Sequence, residues 1–192
     1  MLFELLQIAY LFLPLLGGAI ASGLCIRFNW LAFLAAPLDF RLTHRQRRLF
    51  GNNKTFRGII VFSVGTALIF SLQAKVFHNI PSLRSLEIFD YSTINPLLLG
   101  FSLGVAAMLS ELPNSYLKRQ LDISPGATAH GIWLPIFFVV DQVDLLVGVW
   151  LVLSLAMTVS FNQVLLSIVF IFVIHQIINV VGYFLGMRHT LR

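Results

Sequence analysis

The sequence predicts an all-α integral membrane protein with five transmembrane helices, and three observations predict it. The chain of 192 residues is 58% hydrophobic and 11% charged, where soluble domains carry roughly 25% charged residues. Its mean hydropathy is +0.87. Five apolar runs, at about 2–25, 58–77, 96–112, 141–160 and 164–185, approach or exceed the ~20 residues that a helix needs to cross a bilayer. No repeat, linker or low-complexity tract divides the chain, so residues 1–192 are expected to form a single membrane domain. In such a chain a net charge of +5 points to loops facing anionic lipid rather than to nucleic acid.

The first run has no basic n-region and carries Glu4, so it reads as a retained helix rather than a cleaved signal. Cys25 is the single cysteine, which excludes an internal disulfide. Trp30, Leu31, Phe33 and Leu34 after it suit the headgroup boundary. Pro37-Leu38-Asp39-Phe40 is a turn, and the basic run His44, Arg45, Arg47, Arg48 reads as a lipid-facing charge cluster that sets topology. Asn52 or Asn53 is expected to cap the second helix. Asn53, Lys54, Thr55 and Arg57 converge within one turn at that helix's positive end, a place suited to a phosphate. A bare cap flanked by snorkelling bases would give a similar pattern.

Loop charges set the orientation. Eleven of the thirteen Lys and Arg fall between runs one and two, between three and four, or after five. The opposite side holds only Lys75 and Arg84. The positive-inside rule puts the amino terminus outside and the carboxyl terminus in the cytoplasm.

Four of the eight acidic residues fall in 110–144, between apolar runs: Glu111, Asp122, Asp141 and Asp144, with Lys118 and Arg119 among them. Glu111, Ser115, Lys118 and Asp122 share one helical face, and Pro113 either kinks the third span or begins a new helix. Lys118 and Arg119 suit a triphosphate; alternatively Lys118 pairs with Asp122 on a solvated helix. Asp122 is assigned to the second arrangement. Asp141 and Asp144, at i and i+3, project from one face ~5–6 Å apart. Beside Phe137, Phe138 and Leu145 such a pair repels itself unless a cation intervenes. Mg²⁺ held with Glu111 is the simplest remedy, and it usually arrives with substrate phosphates. Two carboxylates facing water at a helix amino end are the plainer alternative. The run 132–160 is too long for one ordinary span, so 132–140 is expected at the interface, with the span beginning near Asp141. His175 and Asn179 in the last run are expected to make a hydrogen bond between helices rather than a site.

Four short motifs then stand in order: PLDF at 37–40, NKTFRG at 53–58, SYLKRQ at 115–120 and DQVD at 141–144. In this arrangement the chain resembles the CDP-archaeol synthases, small five-span relatives of the phosphatidate cytidylyltransferases. Ser110-Glu111, Asn52 and Phe56 depart from the family's usual residues. The resemblance implies Mg²⁺-dependent transfer of CMP from CTP to a lipid phosphate, with release of pyrophosphate. The acceptor is phosphatidate or an ether-linked isoprenoid glycerol phosphate. It also implies that Asp141 and Asp144 bind metal, with Lys118 beside them as a catalytic group. Ser115, Lys118 and Arg119 then hold nucleotide phosphates, as do Asn53, Lys54, Thr55 and Arg57 in their loop. The site would face the cytoplasm from the cell membrane. A CDP-alcohol phosphotransferase is disfavoured, because its Asp-Gly-x-x-Ala-Arg run is absent. A small transporter or membrane-complex subunit remains the alternative, and it would place charge at mid-membrane.

Overall fold

In a computed structural model, which describes residues 2–91 and 93–184, the chain is a helical bundle. Helix α1 spans Leu2–Arg27. A loop follows, carrying a 3-10 turn at Ala32–Leu34 and a two-residue hairpin, β1 (Thr43–His44) and β2 (Arg47–Arg48). The hairpin is antiparallel, pairing Thr43 with Arg48 and His44 with Arg47. Helix α2 spans Phe56–Lys75 and short α3 spans Pro81–Arg84. Helices α4 (Pro96–Ser110) and α5 (Leu112–Gln120) follow one another with Glu111 at the joint. Helix α6 spans Trp133–Ala156 and α7 spans Phe161–Phe184.

Four stretches are long and apolar enough to cross a membrane: Leu2–Arg27, Phe56–Asn79, Pro96–Gln120 and Trp133–Ala156. Helix α7 adds a fifth apolar helix. The protein is an integral membrane helical bundle. Its core joins Ile8 and Phe12 of α1, Phe70 of α2, Leu103 of α4 and Val149 and Leu153 of α6. Polar groups inside it are tied across helices. Trp150 donates its indole N–H to Ser167 Oγ at 2.8 Å, and Gln73 donates to the Tyr10 carbonyl at 2.8 Å. In apolar surroundings an unpaired donor would cost several kcal/mol.

Helix α6 reaches α4 through Gly148, where a Cβ would stand 2.1 Å from the Ala106 carbonyl oxygen. Small residues let membrane helices approach in this way. The contact sets α6 against the α4–α5 joint, and Asp144 lies one turn before it.

Two expectations change. The fourth span was expected at 141–160, but its helix starts at Trp133 and ends at Ala156. Nothing in the apolar run interrupts it, and Pro135 falls in the first turn, where its missing N–H costs little. Asp141 therefore lies about 12 Å along the helix axis, at 1.5 Å per residue. Second, Thr55 caps α2, not Asn52 or Asn53: its hydroxyl oxygen accepts the Gly58 N–H at 3.2 Å. Of the two roles expected for Pro113, it begins a new helix: it sits in the first turn of α5, after α4 has ended at Ser110.

Candidate active site

The α4–α5 joint holds the site together. With Glu111 at the joint, the first turns of α5 bring Asn114 and then Lys118 toward α6. Asn114 Nδ2 donates to Asp141 Oδ1 and to Asp144 Oδ2, each at 2.7 Å. One amide thus spans both carboxylates and holds them on the same face. Lys118 Nζ lies 2.5 Å from both oxygens of Asp141 and 5.4 Å from the centre of the Phe137 ring. Asp144 also accepts its neighbour's backbone N–H, from Leu145, at 2.8 Å. Lys54, just before α2, pairs with Glu111. Glu111 and Asp141 repel the Asp144 carboxylate, and Lys54 attracts it. Three carboxylates and two ammonium groups from four segments therefore form one cluster.

The other expected residues lie around it. Ser115 is buried on α5. Thr55 serves as the helix cap, next to Lys54 and Asn53. Arg57 turns away: its Nη1 donates to Asn29 Oδ1 at 3.1 Å and to the Trp30 carbonyl at 3.2 Å. Arg119, neighbour to Lys118, projects from another side of α5 and donates to the Phe50 carbonyl at 3.2 Å. The expected Lys118–Asp122 pair does not form, because Asp122 pairs with Arg47 of the hairpin.

The basic run is likewise more than a lipid-facing cluster. Arg48 binds Asp39 at 2.5 Å, and the backbone N–H groups of Phe50 and Gly51 donate to the same carboxylate at 3.1 and 3.2 Å. Burial raises the pKa of Asp39, but Arg48 and these N–H groups outweigh it and hold the carboxyl at about 2. His44 stacks on Tyr116 of α5, with ring centres 6.0 Å apart. These contacts fasten the first loop onto α5. His175 Nδ1 meets Gln142 Oε1 at 2.9 Å, the expected bond between helices; the side chain of Asn179 lies outside the described residues.

A cavity of about 310 Å³ opens between α1, α2, α4, α6 and α7. Phe12, Leu16, Phe62, Leu145 and Phe170 are among its walls, and Glu111 and His175 are its polar members. Glu111 therefore belongs both to the charged cluster and to an apolar chamber.

Sequence reasoning missed Asn114 and Asp39. Asn114 is three residues after Glu111 and four before Lys118, the spacing of neighbours on one helix face. An amide there, at the end of an apolar run, was the available signal. For Asp39 it was a lone acid beside four basic residues.

Whether the residues fit a metal follows from the geometry. Among the described residues, no three His, Cys, Asp or Glu side chains form a ready-made metal set. The paired carboxylates offer the oxygen ligands that a hard divalent ion takes, although Lys118 stands on both oxygens of Asp141. Asn114 Oδ1 beside them is buried without a hydrogen-bond partner, a further oxygen donor of the kind such ions take.

Apolar helices around a partly buried ionic cluster make this a helical integral membrane protein with a charged site. Residues 4–191 match the family model described as CarS-like, CDP-archaeol synthase, and the chain belongs to that family. It is 33% identical to the CDP-archaeol synthase of Pyrococcus furiosus over 149 residues, covering 77% of this chain and 78% of that one. It is 27% identical to that of Pyrobaculum islandicum over 185 residues, covering 95% and 98%. A solved structure, described as structural insight into an intramembrane enzyme for archaeal membrane lipids biosynthesis, matches with a TM-score of 0.63 and 20% identity. That match covers 89% of this chain and 91% of the other, and it shows that the fold is shared. Family membership makes the chain a CTP-dependent lipid cytidylyltransferase of membrane lipid synthesis.

Proposed function

We propose that this enzyme transfers CMP from CTP to an ether-linked isoprenoid glycerol phosphate at the cytoplasmic face of the membrane, releasing pyrophosphate. One observation carries the reading. The Asn114-bridged pair Asp141 and Asp144 stands beside Lys118 and Lys54, where Glu111 joins the cluster to an apolar cavity. Charged chemistry and lipid tails thus have adjoining places.

The reaction brings two polyanions together: a lipid phosphate oxygen attacks the α-phosphorus, and the bond to the β-phosphate oxygen breaks. Such transfers ask mainly for positioning and charge stabilisation. Asp141 and Asp144, with Glu111 nearby, would hold Mg²⁺, which when bound neutralises phosphate oxygens and orients the displacement. Asn114 keeps the two aspartates convergent. Lys118 and Lys54 occupy carboxylates in the absence of substrate, and turn to phosphate oxygens as those arrive. Asn53, Thr55 and Ser115 border that path and supply polar groups to it. Arg57 braces the loop after α1, and its part is to position α2. The apolar cavity takes the lipid tails and keeps water from them.

Purified protein with Mg²⁺, CTP and lipid phosphates should release pyrophosphate, faster with the isoprenoid ether phosphate than with phosphatidate. Asp144→Asn should abolish the release. Failure of every lipid phosphate to react, together with failure of CTP to bind, would sink the reading.

A further inference from the structure

The apolar chamber has a floor. Away from Glu111 and His175, its walls end at Phe12 of α1 and Phe170 of α7. The two rings meet with centres 6.2 Å apart. Side chains on a helix lean toward its amino end, so Phe12 reaches back over Ala9, where the α1 wall begins. Trp150 of α6 backs the pair, its ring edge-on to Phe12 at 6.2 Å. Phe12 is 2% exposed, and the Trp150 indole is held by Ser167 of α7. Packed rings from three helices therefore close this end.

Two hydrogen bonds between α6 and α7 set the depth. Gln142 with His175 marks the charged end, and Trp150 with Ser167 lies behind the floor. These ties stand eight residues apart on each helix, about 12 Å at 1.5 Å per residue. An extended hydrocarbon with C–C bonds of ~1.5 Å advances roughly 1.3 Å per carbon. About nine carbons, two isoprene units with little to spare, span the chamber. A longer tail has to leave by the side. The side is open at Leu13, which follows Phe12, lines the chamber and is still 39% exposed.

We propose that Phe12 and Phe170 stop the tail of the lipid acceptor and turn it out past Leu13 into the bilayer, so that only its first two isoprene units are read. This rests on the cytidylyltransferase reading, which brings a lipid phosphate to Glu111. Fit selects the tail rather than hydrophobicity. A tail drawn from the bilayer is already in apolar surroundings, and what the chamber adds is contact without voids. A tail too short leaves a void, and carbons past the floor touch nothing inside.

The test uses full-length protein in phosphatidylcholine nanodiscs, with ether-linked glycerol phosphates whose tails carry one to four isoprene units. The first measurement needs no turnover. A diazirine at about the eighth backbone carbon should, on illumination, label α1 around Phe12 and α7 around Phe170, whereas one at about the sixteenth should label neither. Excess unlabelled lipid phosphate should remove the floor label, and phosphatidylcholine should not. The second measurement is pyrophosphate release with CTP and Mg²⁺. There kcat/KM should rise about tenfold from one unit to two, then stay level to four. Phe170→Ala deepens the chamber and should extend the rise to three units; Phe170→Trp should make one unit serve as well as two. Tails are compared within one variant, so a partly folded variant still reports. A preference that keeps changing beyond two units, or equal labelling of the floor by both probes, overturns the proposal. Floor labelling without CMP transfer to any lipid phosphate would overturn the proposed reaction and leave the chamber as a tail site. CMP transfer without floor labelling would do the reverse.

Discussion

Asn114 shows how much one side chain decides at this site. Asp141 and Asp144 repel each other, and the amide that bridges them makes two hydrogen bonds to charged acceptors. Such bonds are worth about 1.5–3 kcal/mol each. Asn114→Ala should therefore lower kcat between about 10- and 100-fold in a pyrophosphate-release assay, while the protein still inserts and folds. The aspartates were legible in the sequence because acids are rare there and their i, i+3 spacing is visible. Asn114 was not, because an uncharged amide gains meaning only from the two oxygens it faces. Asp39 was hidden for a similar reason, since its partners lie nine to twelve residues on, in a hairpin with no strong pattern. Its carboxyl is held at about 2, against an ordinary 3.8. A lowered native pKa contributes stability above the unfolded value, and that stability fades as pH falls from 3.8 toward 2. The shift corresponds to about 2 kcal/mol. Thermal melts between pH 5 and pH 2 should show a loss in the wild type that Asp39→Asn largely lacks, the variant being less stable at pH 5.

At the scale of elements, the fold was the more readable part. Run lengths and hydropathy find the four stretches long enough to cross a membrane and the apolar α7, and Pro96 after Asn95 marks the start of α4. Boundaries were harder. The chain from Trp133 to Val140 is apolar enough for an interface or a span, and only packing decides that it joins α6. That packing runs through Gly148. Gly148→Ala puts a methyl group against the Ala106 carbonyl, and overpacking of this kind costs about 1–3 kcal/mol. The variant should melt at a lower temperature in detergent. It should also lose activity beyond that loss of stability, because α6 carries the acidic pair one and two turns away.

For the whole molecule, the proposed orientation rests on charge: the basic loops adjoin the candidate site, and the positive-inside rule would put both on the cytoplasmic side. In a Cys25→Ala background, Ser124→Cys should react with a membrane-impermeant maleimide only in inside-out vesicles, and Ser85→Cys only in right-side-out ones. The reverse pattern would place the chemistry on the outer face. The ion pairs of the cluster have a further consequence. Lys54 with Glu111 and Lys118 with Asp141 tie the start of α2 to the α4–α5 joint, and α5 to α6. In the resting protein the same ammonium groups act as rivets between helices. In the proposed reaction, a nucleotide claiming them would exchange those rivets for its own bridging phosphates, so the loaded enzyme would be cross-linked by its cargo, and release of product would restore the internal ties.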